Sequence, residues 1–460
     1  MPLYQKIIAK YLYPLDRFRS GDSAENRYLQ QYEASQYYHR EWHEERTFEA
    51  LQRLIAHAIK ECPYYRTRFQ EKNITPGDIH SFDDFASLPI LEKRDIQLHR
   101  DEMVAESWPR NDLRQNQTGG STGTPISFYL SRDRQWSQAG ATWRHNRWAG
   151  YDFGEKIALV WGAPRDIPLN SWKRRLRNLV LDRTLYLDTA NITEAKLRSF
   201  HDALKKFRPK VIQAYARSLT LLARYIKSHG YQAYQPHSII TSAEALDQSD
   251  RVLLEDVFNC PVFNRYGCRE FTVVASECEE HQGLHLMAEG LYVEVVRGNR
   301  PVAPGEMGEL LVTDLLNLAM PMIRYRIGDM GTLDNSPCPC GRGLPRLRNV
   351  EGRITDFIVG TDGRLVSGVF LATYVVAQRP SLGQVQLWQN KRDAILYKIA
   401  RPEGNPVDKV DREYLTTETR KYLGGDMKIE FESVGELKSE PSGKFIFCRS
   451  NVVHDFLNSD

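Results

Sequence analysis

The sequence predicts an α/β protein: a large, multi-subdomain N-terminal α/β body that begins with a helical lobe, followed by a small α+β domain at the C-terminus. Three observations carry this. The 460 residues exceed the size at which a single hydrophobic core stops growing. Short apolar runs alternate with helical stretches through the middle of the chain, as buried strands joined by crossover helices do. Beyond residue 353 a unit of about 100 residues has its own strands and helix, enough for a small domain.

In chain order, residues 17–97 are polar with apolar residues at helical spacing, Phe48, Leu51, Leu54, Ile55 and Ala58, before a Pro63-Tyr64-Tyr65 break. Residues 1–97 therefore read as a helical lobe. A further helix, rich in aromatics, is expected over 133–148. Buried strands are expected over 157–161, 211–214, 238–241 and 262–265, with a helix at 218–228 between two of them. The texture then turns to strand at 291–296 and 309–313, and 356–366 reads as a hairpin turning on Asp362-Gly363. The small unit continues with strands near 384–388 and 394–399, a helix over 407–423, and a final strand pair around 427–432 and 445–448. No internal repeat or low-complexity linker interrupts the chain, so a short hinge is expected to separate domains 1–352 and 353–460.

With 41% apolar and 26% charged residues the composition is that of an ordinary soluble enzyme, and a formal net charge of +3 argues against a nucleic-acid partner. The densest basic stretch, Arg165, Lys173, Arg174, Arg175 and Arg177, reads as a solvated face or a phosphate-attracting rim. No run of eighteen apolar residues is present, so no membrane span is expected. The first twenty residues lack the apolar centre of a signal peptide, and a cytoplasmic protein is expected. Residues 4–15 suit a short amphipathic helix able to touch a membrane, with docking on the protein's own body the favoured reading. Seven cysteines, an odd number, do not suggest a disulfide framework; thiols or a metal site are the alternatives.

The segment Thr118-Gly119-Gly120-Ser121-Thr122-Gly123-Thr124-Pro125 is suited to wrapping backbone amides and hydroxyls around a phosphate. It is not a Walker A loop, which needs a lysine before the last hydroxyl. Taken alone, it reads equally well as a flexible surface loop. Four further segments follow in order: Tyr266-Gly267-Cys268-Arg269-Glu270, Arg324-Tyr325-Arg326-Ile327-Gly328-Asp329, Gly352-Arg353-Ile354-Thr355-Asp356 and Pro441-Ser442-Gly443-Lys444.

This ordered set resembles the adenylate-forming superfamily of acyl-CoA synthetases and adenylation domains, nearest to its phenylacetate-CoA ligase-like branch, which includes the CapK proteins. The resemblance runs from Pro63 to Lys444 and includes the Cys338-Pro339-Cys340-Gly341-Arg342 run. It implies a body that binds ATP and an acid, and a small C-terminal domain that swings. The loop 118–125 would hold the β- and γ-phosphates while pyrophosphate departs. Glu270 would help coordinate Mg²⁺, whose shell phosphate oxygens and waters complete; the plainer reading is a loop-end carboxylate. Tyr266, beside Arg265 and Gly267, would lie near the adenine, or pack in the core. Ser242, Ala243 and Glu244 are carried over as nucleotide- or acid-pocket residues. Asp329 would accept both ribose hydroxyls, where a turn aspartate is the alternative, and Arg353 would reach the same ribose or a phosphate. Asp356 would be the hinge. Lys444 would stabilise the charge that develops at the α-phosphate as a carboxylate attacks it. Thr124 and Arg269 depart from the wider superfamily, which has lysine and Ser or Thr there, and Arg269 is able to pair with a carboxylate.

Cys338 and Cys340, with Cys278 and His285 upstream, match a tetrahedral zinc shell; unlinked thiols and an exposed histidine are the alternative, and His281 competes with His285. Trp161 and Tyr215 are candidates for the acid pocket, although large aromatics at strand ends are commonly core. The implied activity is ATP-dependent formation of an acyl-adenylate, then acyl transfer to coenzyme A. An amide-forming ligase with an amine acceptor uses the same residues. A non-catalytic nucleotide-binding role in capsular polysaccharide biosynthesis is a further alternative, and the oligomeric state, a homodimer included, is left open.

Overall fold

The computed structural model describes residues 3–22, 24–118, 126–161, 172–188, 193–353, 356–376, 378–401, 407–437 and 447–457. The N-terminal lobe is helical as expected. Its longest helix, α1 (Arg40–Glu61), buries Leu51, Leu54, Ile55 and Ala58 along one stripe, and Phe48 packs at the margin of the same core. A short hairpin, β1 (Arg114–Gln117) with β2 (Ser127–Leu130), leads into α2 (Arg132–Trp148), which Ser131 caps by accepting from the Arg134 amide.

One twelve-stranded sheet organises the body. Its parallel half contains β3 (Ile157–Trp161), β4 (Thr184–Asp188), β5 (Val211–Tyr215), β6 (Ser238–Ser242) and β7 (Val262–Cys268), in the order β4-β3-β5-β6-β7. Three crossover helices, α3 (Glu194–Phe207), α4 (Ala216–Ser228) and α5 (Gln248–Phe258), contribute Leu204, Leu222 and Leu254 to the core that covers these strands. The other half is antiparallel: β8 (Thr272–Glu277), β9 (Leu284–Leu286), β10 (Leu291–Arg297), β11 (Arg300–Pro301), β12 (Met307–Asp314), β13 (Tyr325–Asp334) and β14 (Arg346–Arg353), running outward as β8-β9-β14-β13-β12-β10-β11. All four expected parallel strands form. β4 was not anticipated: it is a short edge strand whose apolar and polar residues alternate too briefly to register.

Beyond residue 356 the expected hairpin is present as β15 (Phe357–Val359) and β16 (Leu365–Ser367), with Gly363 at φ +84 in its turn. A four-stranded sheet follows, β17 (Val385–Lys391), β18 (Ala394–Ala400), β19 (Lys428–Val434) and β20 (Cys448–Ser450), in the order β19-β18-β17-β20. The last two strands therefore do not pair with each other, contrary to expectation. Helix α6 (Lys409–Leu423) crosses from β18 to β19 and makes these parallel neighbours, so the open edge of β17 is left for β20. A separate core of Ile358, Leu387, Tyr397, Leu415 and Cys448 fills this region. The mixed α/β architecture with a distinct C-terminal sheet bears out the expected fold class.

Candidate active site

Strand β7 ends in a tight reversal that returns as β8. A Cβ on Gly267 would lie 2.0 Å from the Thr272 carbonyl oxygen, and Thr272 itself sits at φ +66, so the backbones touch where only glycine fits. The reversal exposes Arg269 and buries Glu270. Gly267→Ala is expected to force this turn open at about 1–3 kcal/mol. The unfolding temperature should fall; an unchanged variant would mean that the turn is not needed.

Strand pairing brings three of the four motif segments together. Asp329 on β13 is the direct cross-strand partner of Arg353 on β14, and its Oδ1 lies 3.3 Å from Arg353 Nε. The Tyr266 hydroxyl donates to Asp329 Oδ2 at 2.7 Å. Asp329 thus holds Arg353 firmly protonated, while burial, and then Asp329, push the Tyr266 hydroxyl far above its usual range. The Tyr325 hydroxyl donates to Glu270 Oε1 at 3.2 Å. The Arg353 amide donates to Asp356 Oδ2 at 3.2 Å, and burial pushes the Asp356 carboxyl up.

Two members of this cluster were not anticipated. Tyr325 stood inside a quoted motif without a role. Lys93 arrives because Leu91 bridges β13: the Leu91 amide donates to the Arg324 carbonyl and the Arg326 amide to the Leu91 carbonyl, at 3.1 and 3.0 Å. Burial first, then the Arg353 charge, lower the Lys93 pKa, and Glu270 opposes them. Only a long-range contact reveals Lys93; its local sequence carries no signal.

In sequence, the glycine-rich segment joins β1 to β2. Next to the β1–β2 hairpin the Thr118 amide donates to the Ile126 carbonyl, and the Ile126 amide donates to Thr118 Oγ1, both at 3.0 Å. Asn116 Nδ2 approaches the Arg269 carbonyl at 3.4 Å and so sets the hairpin beside the 269–270 turn. Gly119, Gly120, Ser121, Thr122, Gly123 and Thr124 lie outside the described residues, as does Lys444.

At the C-terminal ends of the parallel strands, Trp161 and Tyr215 form a tilted ring pair with centroids 4.3 Å apart, both half-buried. Ser242, next to Tyr215 in the ladder, is followed by Ala243 at φ +65 and by Glu244, whose Oε2 accepts from the Arg217 amide at 2.9 Å. This carboxylate sits at the positive end of α4. Arg265 was expected among the nucleotide ligands, and the structure places it elsewhere. Alternation along β7 sends it to the face opposite Tyr266, where Nη2 donates to Asn146 Oδ1 at 2.8 Å, and burial lowers its pKa to about 10.

A second constellation lies on the far side of β8. The ligand atoms of Cys278, His285, Cys338 and Cys340 all fall within 4.8 Å of one another. Cys278 and Cys338 Sγ are 3.7 Å apart, and Cys340 Sγ is 3.3 Å from His285 Nε2. His285 Nδ1 faces the Leu344 carbonyl at 3.4 Å, which leaves Nε2 for a metal, and burial keeps the ring neutral at about 3. His281 is engaged elsewhere, with Glu277 Oε2 at 3.1 Å. Three thiols and one neutral imidazole fit the donor set of a closed tetrahedral zinc site.

Comparison with known proteins places these features in context. Residues 358–451 match the family described as the CapK C-terminal domain. Protein CapK of Staphylococcus aureus is 25% identical over 400 residues, covering 86% of both chains. The phenylacetate-coenzyme A ligase of Pseudomonas putida is 24% identical over 413 residues, 85% of this chain and 90% of that one. That of Thermus thermophilus is 26% identical over 332 residues, 68% and 70% of the two chains. Among solved structures, 2-hydroxyisobutyryl-CoA ligase in its postadenylation state with 2-HIB-AMP superposes with TM-score 0.67 at 19% identity, over 90% of this chain and 92% of that one. The resemblance drawn from the motifs is borne out.

Proposed function

From the chain's homology to CapK and the phenylacetate-CoA ligases, and from its adenylate-forming fold, we propose that it is an AMP-forming acid ligase. The observation that carries the reading is the convergence of Tyr266, Asp329 and Arg353 beside Glu270, with the base of the glycine-rich hairpin against the same turn. In the first half-reaction a carboxylate oxygen of the acid attacks the α-phosphorus of ATP, and pyrophosphate leaves. In the second, the thiolate of coenzyme A attacks the carbonyl carbon of the acyl-adenylate, and AMP leaves.

The Asp329 carboxylate, which accepts from Tyr266 and pairs with Arg353, has two oxygens of the kind that accept ribose hydroxyls. Arg353 neutralises Asp329 and stands ready for the nucleotide. Glu270 would hold Mg²⁺ through its carboxylate, and the ion would offset the negative charge of the phosphates. The half-buried Trp161–Tyr215 pair at the strand ends favours an acid with a flat apolar body. In this scheme residues 1–352 form the body with its helical lobe near 1–97, residues 353–460 rotate about Asp356, and that rotation carries Lys444 in and out.

The test is to supply purified protein with ATP, Mg²⁺ and a panel of carboxylic acids, with and without coenzyme A, and to follow pyrophosphate, ADP and AMP separately. Acid-dependent pyrophosphate supports adenylation. ADP in its place would refute it. AMP release that requires an amine, not coenzyme A, would move the acceptor to amide formation.

The same reading assigns a structural Zn²⁺ to Cys278, His285, Cys338 and Cys340. About one equivalent of zinc is expected in chelator-free protein, and a Cys338→Ser variant should unfold at least about 4 °C lower. Less than about half an equivalent would remove the assignment.

A further inference from the structure

Fifteen large apolar side chains are exposed among the described residues, and eight of them lie in two short neighbouring segments. The first runs through the consecutive helices Leu3–Ile7, Ile8–Leu12 and Tyr13–Arg19. It docks through Ile8, fully buried against Gly154, and through the Tyr13 ring, 4.0 Å from Phe153. Its other face presents Tyr4, Ile7, Tyr11, Leu15 and Phe18 to solvent, at helical steps of three and four. The second segment, Trp172–Arg177 and Asn178–Asp182, exposes Trp172, Leu176 and Leu179 at steps of four and three. The two are tied together, since the Tyr4 hydroxyl donates to the Val180 carbonyl at 2.8 Å and Arg177 pairs with Asp16 at 2.8 Å. Docking on the body, the reading favoured from sequence, accounts for Ile8 and Tyr13 and leaves Ile7, Tyr11, Leu15 and Phe18 exposed.

Charge says what covers it. The two segments carry eight cations and two carboxylates, a formal +6 against +3 for the whole chain. Both carboxylates, Asp16 and Asp182, are engaged by Arg177. The exposed Lys6, Lys10, Arg19 and Arg175 have no acidic partner among the described residues. Beside the stripe opens a cavity of about 370 Å³ lined by Gln5 of the same helix and by Lys156, Arg183, Arg208 and Lys210. Among the described residues, only Lys210 has a carboxylate partner there, Glu155 at 2.6 Å. Arg183 lies 4.8 Å over the Tyr4 ring and so joins the cavity to the stripe.

We propose that this face seats the protein on an anionic lipid bilayer: the two apolar stripes enter the interface, and the basic cavity receives a phosphate headgroup. Aromatic and aliphatic residues interleaved with lysine and arginine on an in-plane helix suit that boundary, where no spanning segment is needed. The orientation also leaves the active site free. Lys156 and Lys210 directly precede β3 and β5, whereas Trp161 and Tyr215 end them, so the two faces lie about 16 Å apart along the strands.

Flotation of the full chain with vesicles tests this. The protein should float with phosphatidylcholine vesicles containing about one third phosphatidylglycerol and stay behind with phosphatidylcholine alone. The triple variant Phe18→Ser/Trp172→Ser/Leu179→Ser, at exposed positions outside the catalytic cluster, should keep its unfolding temperature and pyrophosphate release and lose at least about tenfold in bound fraction. Arg183→Glu/Arg208→Glu should lose a comparable fraction. Absence of flotation with anionic vesicles, or unchanged flotation of the triple variant, overturns the proposal. So does a self-associated species in sedimentation that the triple variant dissolves, since the occupant would then be a second copy of the chain.

Discussion

A Lys444→Ala variant is expected to lose acyl-adenylate formation by about 10²–10³-fold while its affinity for ATP changes little. As the acid oxygen adds to the α-phosphorus, negative charge grows on the non-bridging oxygens, and a cation placed there interacts more strongly with the transition state than with bound ATP. Such an interaction lowers kcat and leaves ground-state binding nearly intact. The glycine-rich loop lacks the lysine of a Walker motif, so within this scheme the cation has to come from elsewhere, and the C-terminal segment supplies the candidate. The decisive control bypasses the first step: given chemically prepared acyl-adenylate, the variant should still transfer the acyl group to coenzyme A at close to the parental rate. Loss of both half-reactions would show that the lysine supports the fold or the second step instead. Normal pyrophosphate release would remove it from the chemistry altogether.

How far the sequence reaches is seen best at individual residues. Tyr266, Asp329 and Arg353 stand in segments dense with glycine and charge, where few structural explanations compete, and strand pairing unites them. The four strands of the parallel half were recognisable because each carries a short apolar core, such as Ile157–Trp161 or Ile239-Ile240, set between helical stretches. Pairing choices were not recognisable. β19 and β20 are each good strands, but which edge each joins depends on where α6 crosses, a tertiary matter. Arg265 shows a different limit, since one residue's shift along a strand moves a side chain from the site to the opposite face. Lys93 reaches the site through a backbone bridge from a segment more than two hundred residues away in sequence, and no local pattern encodes that.

Asp329→Ala is expected to raise the KM for ATP by about 10–100-fold and to change kcat less. Hydrogen bonds from ribose hydroxyls to a carboxylate contribute roughly 1.5–3 kcal/mol in total binding, which is felt alike by bound ATP and by the transition state. A second consequence follows from the ladder: Arg353 loses its cross-strand partner, and the Tyr266 hydroxyl loses its acceptor, so part of the effect will be disorder in the pocket. Ribose-modified nucleotides separate the two. If Asp329 holds the ribose, 2′- or 3′-deoxy-ATP should be a poorer substrate than ATP for the parent protein, and the variant should hardly distinguish them. If Asp329 only braces Tyr266 and Arg353, the parent and the variant should discriminate between ATP and deoxy-ATP to the same degree. Arg353→Met completes the test: coupling between the two substitutions is expected because they share one ion pair, so the double variant should be less impaired than the product of the single effects. Strict multiplicativity would mean that the 3.3 Å contact across β13 and β14 has no energetic part in binding ATP.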